Sequence, residues 1–253
     1  MTRHRRLLST AASAAAAAVL AATLPPSALP AAAADDVPEI AREAFANMPR
    51  VTGEWAFTRV RENQEGSRVE RFDPRAEPKW QLVSIDGREP DAEEREDYAE
   101  EIERRLAREE GRPGDNDFRG LSAGSGWQLV EEDTDRVTFG FQPAAGATEH
   151  EDVAKHLKGE MTIVKSVPYV ESFRLFNREP FRAKLVAKIE HFSTQVRMTR
   201  LDDRAYMPAS VTTRVKGSAF GLKDIDRDVR LTYSDFRYAG PEATADRRLP
   251  EED

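Results

Sequence analysis

The chain has 253 residues, with 46 acidic and 38 basic side chains, a formal net charge of −8 and no cysteine. The absence of cysteine excludes disulfides, thiolate metal ligands and cysteine nucleophiles. The acidic balance opposes binding to nucleic acid or to anionic lipid surfaces, so we predict no nucleic-acid partner.

The first 34 residues have the three-part layout of a secretory signal. Three arginines precede an Ala/Leu-rich stretch, and small residues at positions 31–34 follow it. Because alanine is weakly apolar and Pro25-Pro26 interrupts the stretch, a retained transmembrane anchor is the poorer interpretation. We predict a signal peptide over residues 1–34 and an exported protein, periplasmic if the host has an outer membrane and otherwise secreted.

Residues 35–239 are predicted to form a single domain, and residues 240–253 a disordered tail. The domain begins with a short amphipathic helix over residues 35–48, where apolar side chains recur at helical spacing. The period then changes to two. This change predicts a β-hairpin over residues 55–72 and a third strand over residues 80–85 that ends in an Asp-Gly turn.

Residues 91–126 are predicted to be an insertion made of a charged helix and a glycine-rich loop. In the helix, Tyr98, Ile102 and Leu106 form a narrow apolar stripe, four residues apart. Such a stripe can cover one edge or the mouth of a larger body, but it is too narrow for burial on all sides. Loops of this length are often functional, so the insertion is a candidate lid.

The rest of the domain is predicted to be a second hairpin, a weak helix near residues 149–157, and then one strand after another. The links between these strands are too short for parallel crossovers, so the sheet must be antiparallel. About 10 or 11 strands exceed what an open sheet usually supports without curling. We therefore predict a mainly β (α+β) fold, an incomplete antiparallel half-barrel with two or three short helices over its mouth. The expected strands of the last part are 161–165, 169–176, 183–192, 195–201, 209–215 and 229–238.

The sequence has no metal-binding motif, and no catalytic motif in the structural context that its chemistry needs. His150 and His156 are six residues apart and His191 has no evident partner, so the histidines do not have metal-ligand spacing. Ser122 lies in a Gly-x-Ser-x-Gly pattern over residues 120–124, but this stretch precedes a predicted strand and not a helix, so it is not the strand–turn–helix elbow of a hydrolase. We predict no metal, no cofactor and no enzymatic activity; a hydrolase with an unrecognised site is a less favoured alternative.

Aromatic residues provide the remaining signal. Each of the three tryptophans lies at the start of a predicted strand and is followed two residues later by an apolar residue on the same face. These pairs could belong to a packed core, or they could line an apolar site for an acyl chain. The candidate lining residues are Trp55, Phe57, Trp80, Leu82, Trp127 and Leu129.

Several segments resemble the LolA/LolB-like superfamily of outer-membrane lipoprotein-sorting proteins. They are the run from Leu157 to Val164, the run from Pro168 to Leu175, the strand around Lys188-Ile189 and the run from Leu231 to Phe236. The resemblance implies an antiparallel half-barrel of roughly 11 strands whose apolar interior holds the acyl chains of a lipoprotein or another lipid. Related domains of this fold sense envelope stress, so the fold alone does not decide the ligand.

The functional prediction is an envelope protein that binds a lipid or a lipoprotein acyl chain in a half-barrel cavity. The alternative is a protein–protein interaction or stress-sensing module with a solid core. The two differ in whether the face that carries the tryptophans is filled by the protein's own side chains.

Overall fold

The computed structural model describes residues 37–47, 55–109, 124–144, 151–183, 187–202, 205–220 and 223–240. The predicted signal segment, most of the glycine-rich loop and the predicted tail after Gly240 lie outside these ranges.

Eleven antiparallel strands form one sheet, with the order β3-β2-β1-β11-β10-β9-β7-β6-β5-β4, and β8 pairs with β9 beside this path. Most neighbours in the sheet are also neighbours along the chain, which confirms the mainly antiparallel β prediction. The exception that organises the fold is β1, which pairs with β11. Within the described residues the sheet is open, because its end strands β3 and β4 are not paired with each other. The strands are β1 Trp55–Asn63, β2 Gly66–Phe72, β3 Trp80–Ile85, β4 Ser125–Glu132, β5 Arg136–Gln142, β6 Leu157–Val164, β7 Tyr169–Asn177, β8 Phe181–Ala183, β9 Ala187–Asp202, β10 Ala205–Ala219 and β11 Lys223–Tyr238.

Three helices accompany the sheet: α1 Glu39–Asn47, α2 Ala92–Glu109 and the single turn α3 Glu151–Ala154. α1 contacts β6 and β7, and α2 contacts β3. The predicted charged helix is therefore found as α2. Its first turn has a reciprocal cap, in which the Glu94 amide donates to Asp91 Oδ1 at 2.9 Å and the Asp91 amide donates to Glu94 Oε2 at 2.9 Å.

The predicted division of β9 into strands 183–192 and 195–201 is wrong. The chain continues from Ala187 to Asp202 as one strand. Ser193 and Thr194 do not make a turn, because Thr194 is fully buried and its hydroxyl is 3.0 Å from that of Thr213 on β10. β10 is likewise longer than the predicted strand 209–215, because it runs from Ala205 to Ala219 and includes Pro208, which lies at a register shift in the ladder.

The register gives the sheet two faces of different character, since alternate residues of a strand point to opposite sides. We call the face that carries Met161 and Leu231 the inner face, and the other the outer face. One row of directly paired inner-face residues crosses ten strands: Leu129, Phe139, Met161, Phe173, Val196, Val211, Leu231, Arg61, Arg68 and Ile85. The next row on the outer face is polar over its middle, with Thr138, Thr162, Ser172, Arg197, Ser210 and Thr232.

The main core lies on the inner face of β5, β6, β7 and β9. Met161, Phe173 and Val196 are each less than a tenth exposed, and Ala41 and Ala44 of α1 pack into the same cluster. The side-chain amide of Asn47 donates to the Pro168 carbonyl at 2.9 Å, which ties the end of α1 to the turn before β7. The protein's own side chains therefore fill this half of the inner face.

Candidate functional site

The other half of the inner face carries an aromatic cluster, which consists of Phe57, Phe72, Trp80, Tyr233 and Phe236. The Phe57 ring centre is 5.2 Å from that of Phe72, 5.7 Å from Trp80 and 5.6 Å from Tyr233. All five side chains are partly exposed. Aromatic rings at these spacings and edge-on angles stabilise one another beyond the area that they bury.

A β-bulge brings Tyr233 and Phe236 to the same face although they are three residues apart. The register between β1 and β11 shifts between Ala56 and Thr58, and Asp235 adopts a left-handed backbone conformation with φ 54°. One extra residue on β11 restores the inward direction for Phe236. Strict alternation would have placed this ring on the outer face, so the bulge completes the cluster.

Four of the predicted lining residues meet at this end of the sheet. Trp55 contacts Tyr238 edge-on at 5.3 Å, and Phe57 and Trp80 belong to the aromatic cluster. Leu82 pairs with Glu70 on the neighbouring strand and is half-buried.

The other two predicted lining residues, Trp127 and Leu129, lie at the opposite end of the strand order. Trp127 stacks on Phe141 with ring centres 4.6 Å apart, and its indole N–H donates to the Gly124 carbonyl at 3.0 Å. Leu129 is 58% exposed on β4. Trp127 and Leu129 are on the end strand β4, whereas the other four residues are on β1 and β3 at the opposite end of the strand order.

Beside the aromatic cluster lies an arginine cluster, which we define as Arg59, Arg61, Arg68 and Arg105. The first three project from β1 and β2, and Arg105 comes from α2. The guanidinium carbons of Arg59 and Arg105 each lie 4.4 Å from the centre of the Trp80 ring, within cation–π range. α2 thus contacts the sheet through charged groups as well as through buried Tyr98 and Ile102.

Two carboxylates face the arginine cluster. Glu70 is 1% exposed and accepts a hydrogen bond from Arg59 Nε at 2.6 Å. Glu101 of α2 accepts two hydrogen bonds from Arg68, both at 2.9 Å. Burial alone would lower the pKa of Arg59 and of Arg68, but these carboxylates raise both above the usual value.

Arg61 is the least compensated of the three arginines that β1 and β2 contribute. Its Nη1 is 4.0 Å from Glu101, beyond hydrogen-bond distance, and its buried Nε has no hydrogen-bond partner among the described residues. Burial and the neighbouring charge of Arg68 lower the pKa of Arg61. The hydroxyl of Tyr98 is a second buried polar atom without a partner in this part of the chain.

Between the filled core and these clusters lies an apolar strip, which consists of Val211, Val229 and Leu231. β10 and β11 carry these residues and lie between the strands under α1 and those under α2 in the sheet order. All three face inward and are only half-buried. Leu231 pairs directly with Arg61 across the β1–β11 ladder.

The outer face carries two polar grooves, of about 490 and 390 Å³. Thr212, Arg214 and Arg230 line both of them. Their basic residues are exposed on the sheet surface, and Arg214 pairs with Asp228 at 2.9 Å. These grooves have the character of a solvated sheet face, unlike the arginine cluster on the inner face.

The described residues contain no group of three or more histidine or acidic side chains placed to hold a metal ion. His156 is exposed and stacks on Phe181 at 4.8 Å, whereas His150 lies outside the described residues. Among the helices that the structure describes, none has the length and apolar character needed to cross a membrane.

Sequence reasoning missed the arginine cluster, although a signal for it is present. Arg59 and Arg61 continue the two-residue period of Trp55 and Phe57 along β1, which predicts guanidinium groups on the same face as the aromatic rings. The contributions of Glu101 and Arg105 could not be predicted in this way. They depend on where α2 docks.

Comparisons with known proteins give no match to any family model, to any curated protein or to any solved structure. The resemblance to LolA/LolB-like proteins therefore stays a prediction.

Proposed function

We propose that this chain is an exported, non-enzymatic binding protein of the cell envelope that holds a hydrophobic ligand, a lipid or a lipoprotein acyl chain. The ligand lies on the apolar strip of the inner face, with α2 over one side of it. In this proposal the open sheet curves as a LolA/LolB-like half-barrel, and Phe57, Trp80 and Leu82 line the site beside the strip.

The change in burial along one row of the inner face carries the proposal. Met161, Phe173 and Val196 are almost completely buried, while Val211 and Leu231, the next two residues of the same row, are only partly buried, with Val211 at the margin of the core cluster. Nothing in the chemistry of these side chains accounts for the difference, since all are apolar. On the buried side of the row α1 packs over β6 and β7, whereas β10 and β11 lie between the two longer helices in strand order.

An apolar surface left partly in water favours a ligand that covers it. Burying apolar area stabilises a complex by roughly 25 cal/mol per Å² before the costs of association. Aromatic side chains beside the apolar strip extend the contact area. Large contiguous apolar patches on the surface of soluble proteins mark interaction or ligand-binding sites.

An uncharged fluorescent probe, N-phenyl-1-naphthylamine, tests the proposal. The probe becomes bright in apolar surroundings, so titration with the purified protein measures binding directly. Leu231→Asp places a carboxylate in the apolar strip and should weaken binding by at least about tenfold. Thr232→Asp is the matched control, because Thr232 is the next residue of β11, is also half-buried and faces outward.

The proposal predicts saturable binding by the unmodified protein and by Thr232→Asp. Far-UV circular dichroism and thermal melting check that Leu231→Asp is folded. No binding by the unmodified protein, or equal binding by both variants, would overturn the proposal. Native mass spectrometry of protein purified from its host provides an independent check, since a bound lipid should be retained.

A second candidate function is an envelope interaction module, which the edge strand β4 favours. Leu129 and Val130 are 58% and 56% exposed on this strand, and the neighbouring core is filled. An exposed sheet edge can pair with a strand from a partner. Capture of one stoichiometric envelope protein that Leu129→Lys abolishes, together with no probe binding, would favour this function.

A further inference from the structure

We infer that the ligand of the inner face is an anionic amphiphile, whose carboxylate or phosphate headgroup is bound by the arginine cluster under α2. This inference rests on the proposed function, because it places the headgroup next to a chain that lies on the apolar strip. It adds the chemical class of the ligand and its orientation on the sheet.

The position of Arg61 supports this orientation. Arg61 and Leu231 are directly paired across the β1–β11 ladder on the inner face. Side chains in such pairs start about 5 Å apart. An acyl chain in contact with Leu231 would therefore lie within reach of the Arg61 side chain.

The charge of the cluster supports an anion. Three guanidinium groups on β1 and β2, those of Arg59, Arg61 and Arg68, face two carboxylates, and both carboxylates are already engaged, Glu70 by Arg59 and Glu101 by Arg68. The local excess is positive in a chain whose formal net charge is −8. Partly buried like charges repel one another, and a bound anion would offset this repulsion.

The two buried atoms without partners provide an independent observation. The Nε of Arg61 and the hydroxyl of Tyr98 are buried, and Tyr98 as a whole is 5% exposed. The Arg68 guanidinium carbon lies 5.9 Å from the centre of the Tyr98 ring, so the hydroxyl belongs to a residue at the edge of the same cluster. A buried donor without an acceptor is costly, and oxygens of a carboxylate or phosphate are acceptors for both groups.

The site is also accessible. The side chains of Arg61 and Arg68 are 32% and 25% exposed. A headgroup can therefore reach the exposed parts of these two guanidinium groups from solvent while the chain lies along Val211 and Leu231, and the Arg61 Nε and the Tyr98 hydroxyl lie buried behind them.

Displacement of N-phenyl-1-naphthylamine by three competitors tests this inference. Oleate carries the chain and a carboxylate, oleyl alcohol carries a matched chain without charge, and acetate carries the carboxylate without a chain. Oleate should displace the probe at about tenfold lower concentration than oleyl alcohol, because charge-assisted hydrogen bonds to arginine hold its headgroup. Acetate should not displace the probe.

Arg61→Met removes the charge and keeps an apolar stem. It should weaken displacement by oleate about tenfold and leave oleyl alcohol unchanged. Tyr98→Phe should weaken displacement of the probe by oleate by a smaller factor. It serves as the second variant if Arg61→Met does not fold. Arg214→Met on the outer face is the matched control and should change neither competitor.

The outcomes separate the two proposals. Two results would overturn the inference of an anionic headgroup and leave the proposed function intact. One is that the probe binds and that oleate and oleyl alcohol displace it equally. The other is that Arg61→Met weakens displacement by both competitors equally. Absence of binding by the probe and by every amphiphile would overturn both.

Discussion

Arg59 and Glu70 are directly paired across the β1–β2 hairpin, and the Arg59 Nε donates to a carboxylate oxygen of Glu70 at 2.6 Å. Glu70 is almost completely buried, and the Arg59 side chain is 12% exposed. The same guanidinium lies against the Trp80 ring. One ion pair therefore connects β1, β2 and the aromatic cluster.

Glu70→Gln should destabilise the protein by about 3 kcal/mol. The substitution leaves Arg59 with no opposing carboxylate in a site from which water is largely excluded, and a buried charge that loses its partner costs about 3–5 kcal/mol. Urea denaturation followed by circular dichroism measures the change.

The control for this prediction is Asp228→Asn, which breaks the exposed pair with Arg214. The two side chains of that pair are 60% and 49% exposed, so the loss should be below about 0.5 kcal/mol. Equal effects of the two substitutions would contradict the role assigned to burial.

Tyr98→Phe should stabilise the ligand-free protein by about 1 kcal/mol, because it removes a buried hydroxyl without a partner and keeps the ring. The same substitution is expected to weaken displacement of the probe by oleate, and few point substitutions combine higher stability with weaker ligand binding. Thermal melting of the ligand-free protein checks the sign. A lower melting temperature would mean that the hydroxyl is satisfied in solution.

α2 should lose protection in acid before the core does. The hydrogen bond from Arg88 lowers the pKa of Glu94 to about 2. Burial alone would raise the pKa of Glu101, but hydrogen bonds from Arg68 lower it. A folded-state pKa below the unfolded value of about 4.5 means that this stabilisation is present above pH 4.5 and is lost as the pH falls towards 2.

Hydrogen exchange of the α2 amides, corrected for intrinsic rates, measures this effect between pH 6 and pH 2. Glu94→Gln should already lower protection at the start of α2 at pH 6 and remove part of the pH dependence. Amides of β6, β7 and β9 should change less over the same range. An equal loss of protection in helix and sheet would show that these carboxylates do not stabilise α2 independently of the core.

Gly159→Ala should destabilise the protein by about 1–3 kcal/mol, as overpacking of a core does. A Cβ at this position would lie 2.2 Å from Cζ of Phe141, a ring that is 2% exposed and stacks on Trp127. The ring must therefore move, which should also change the fluorescence of Trp127.

Gly140→Ala is the matched control, because Gly140 lies on the adjacent strand β5 and faces outward. Its nearest neighbour would be a methyl group of Val130 at 3.2 Å, on an exposed side chain that can shift. Denaturant unfolding should separate the two variants by at least about 1 kcal/mol. Similar stabilities would contradict the packing assigned to Phe141.

Local patterns predicted most of the strands because each depends on a period of two and on turn residues nearby. The hairpin of β1 and β2 follows from such signals, and the helix α2 follows from apolar residues at helical spacing. Strand β9 did not follow, because the small polar residues Ser193 and Thr194 resemble a link until the buried hydroxyl pair with Thr213 is known. Burial of a polar residue is a tertiary property that local composition does not contain.

The grouping of the tryptophans could not be predicted because it depends on strand order. Pairing of β1 with β11 connects segments far apart in the chain and places Trp55 and Trp80 at one end of the sheet, with Trp127 at the other. The sequence did predict that Trp80 and Leu82 share a face. It could not predict that Arg61 would lie directly opposite Leu231 on the neighbouring strand.

The absence of cysteine allows the most direct test of an open apolar strip. A single cysteine at Leu231 should react readily with a maleimide in the ligand-free protein and be protected by oleate, whereas Thr232→Cys on the outer face should react equally with and without oleate. A Leu231→Cys protein that reacts at the same rate in both conditions, or that does not react at all without ligand, would contradict the account.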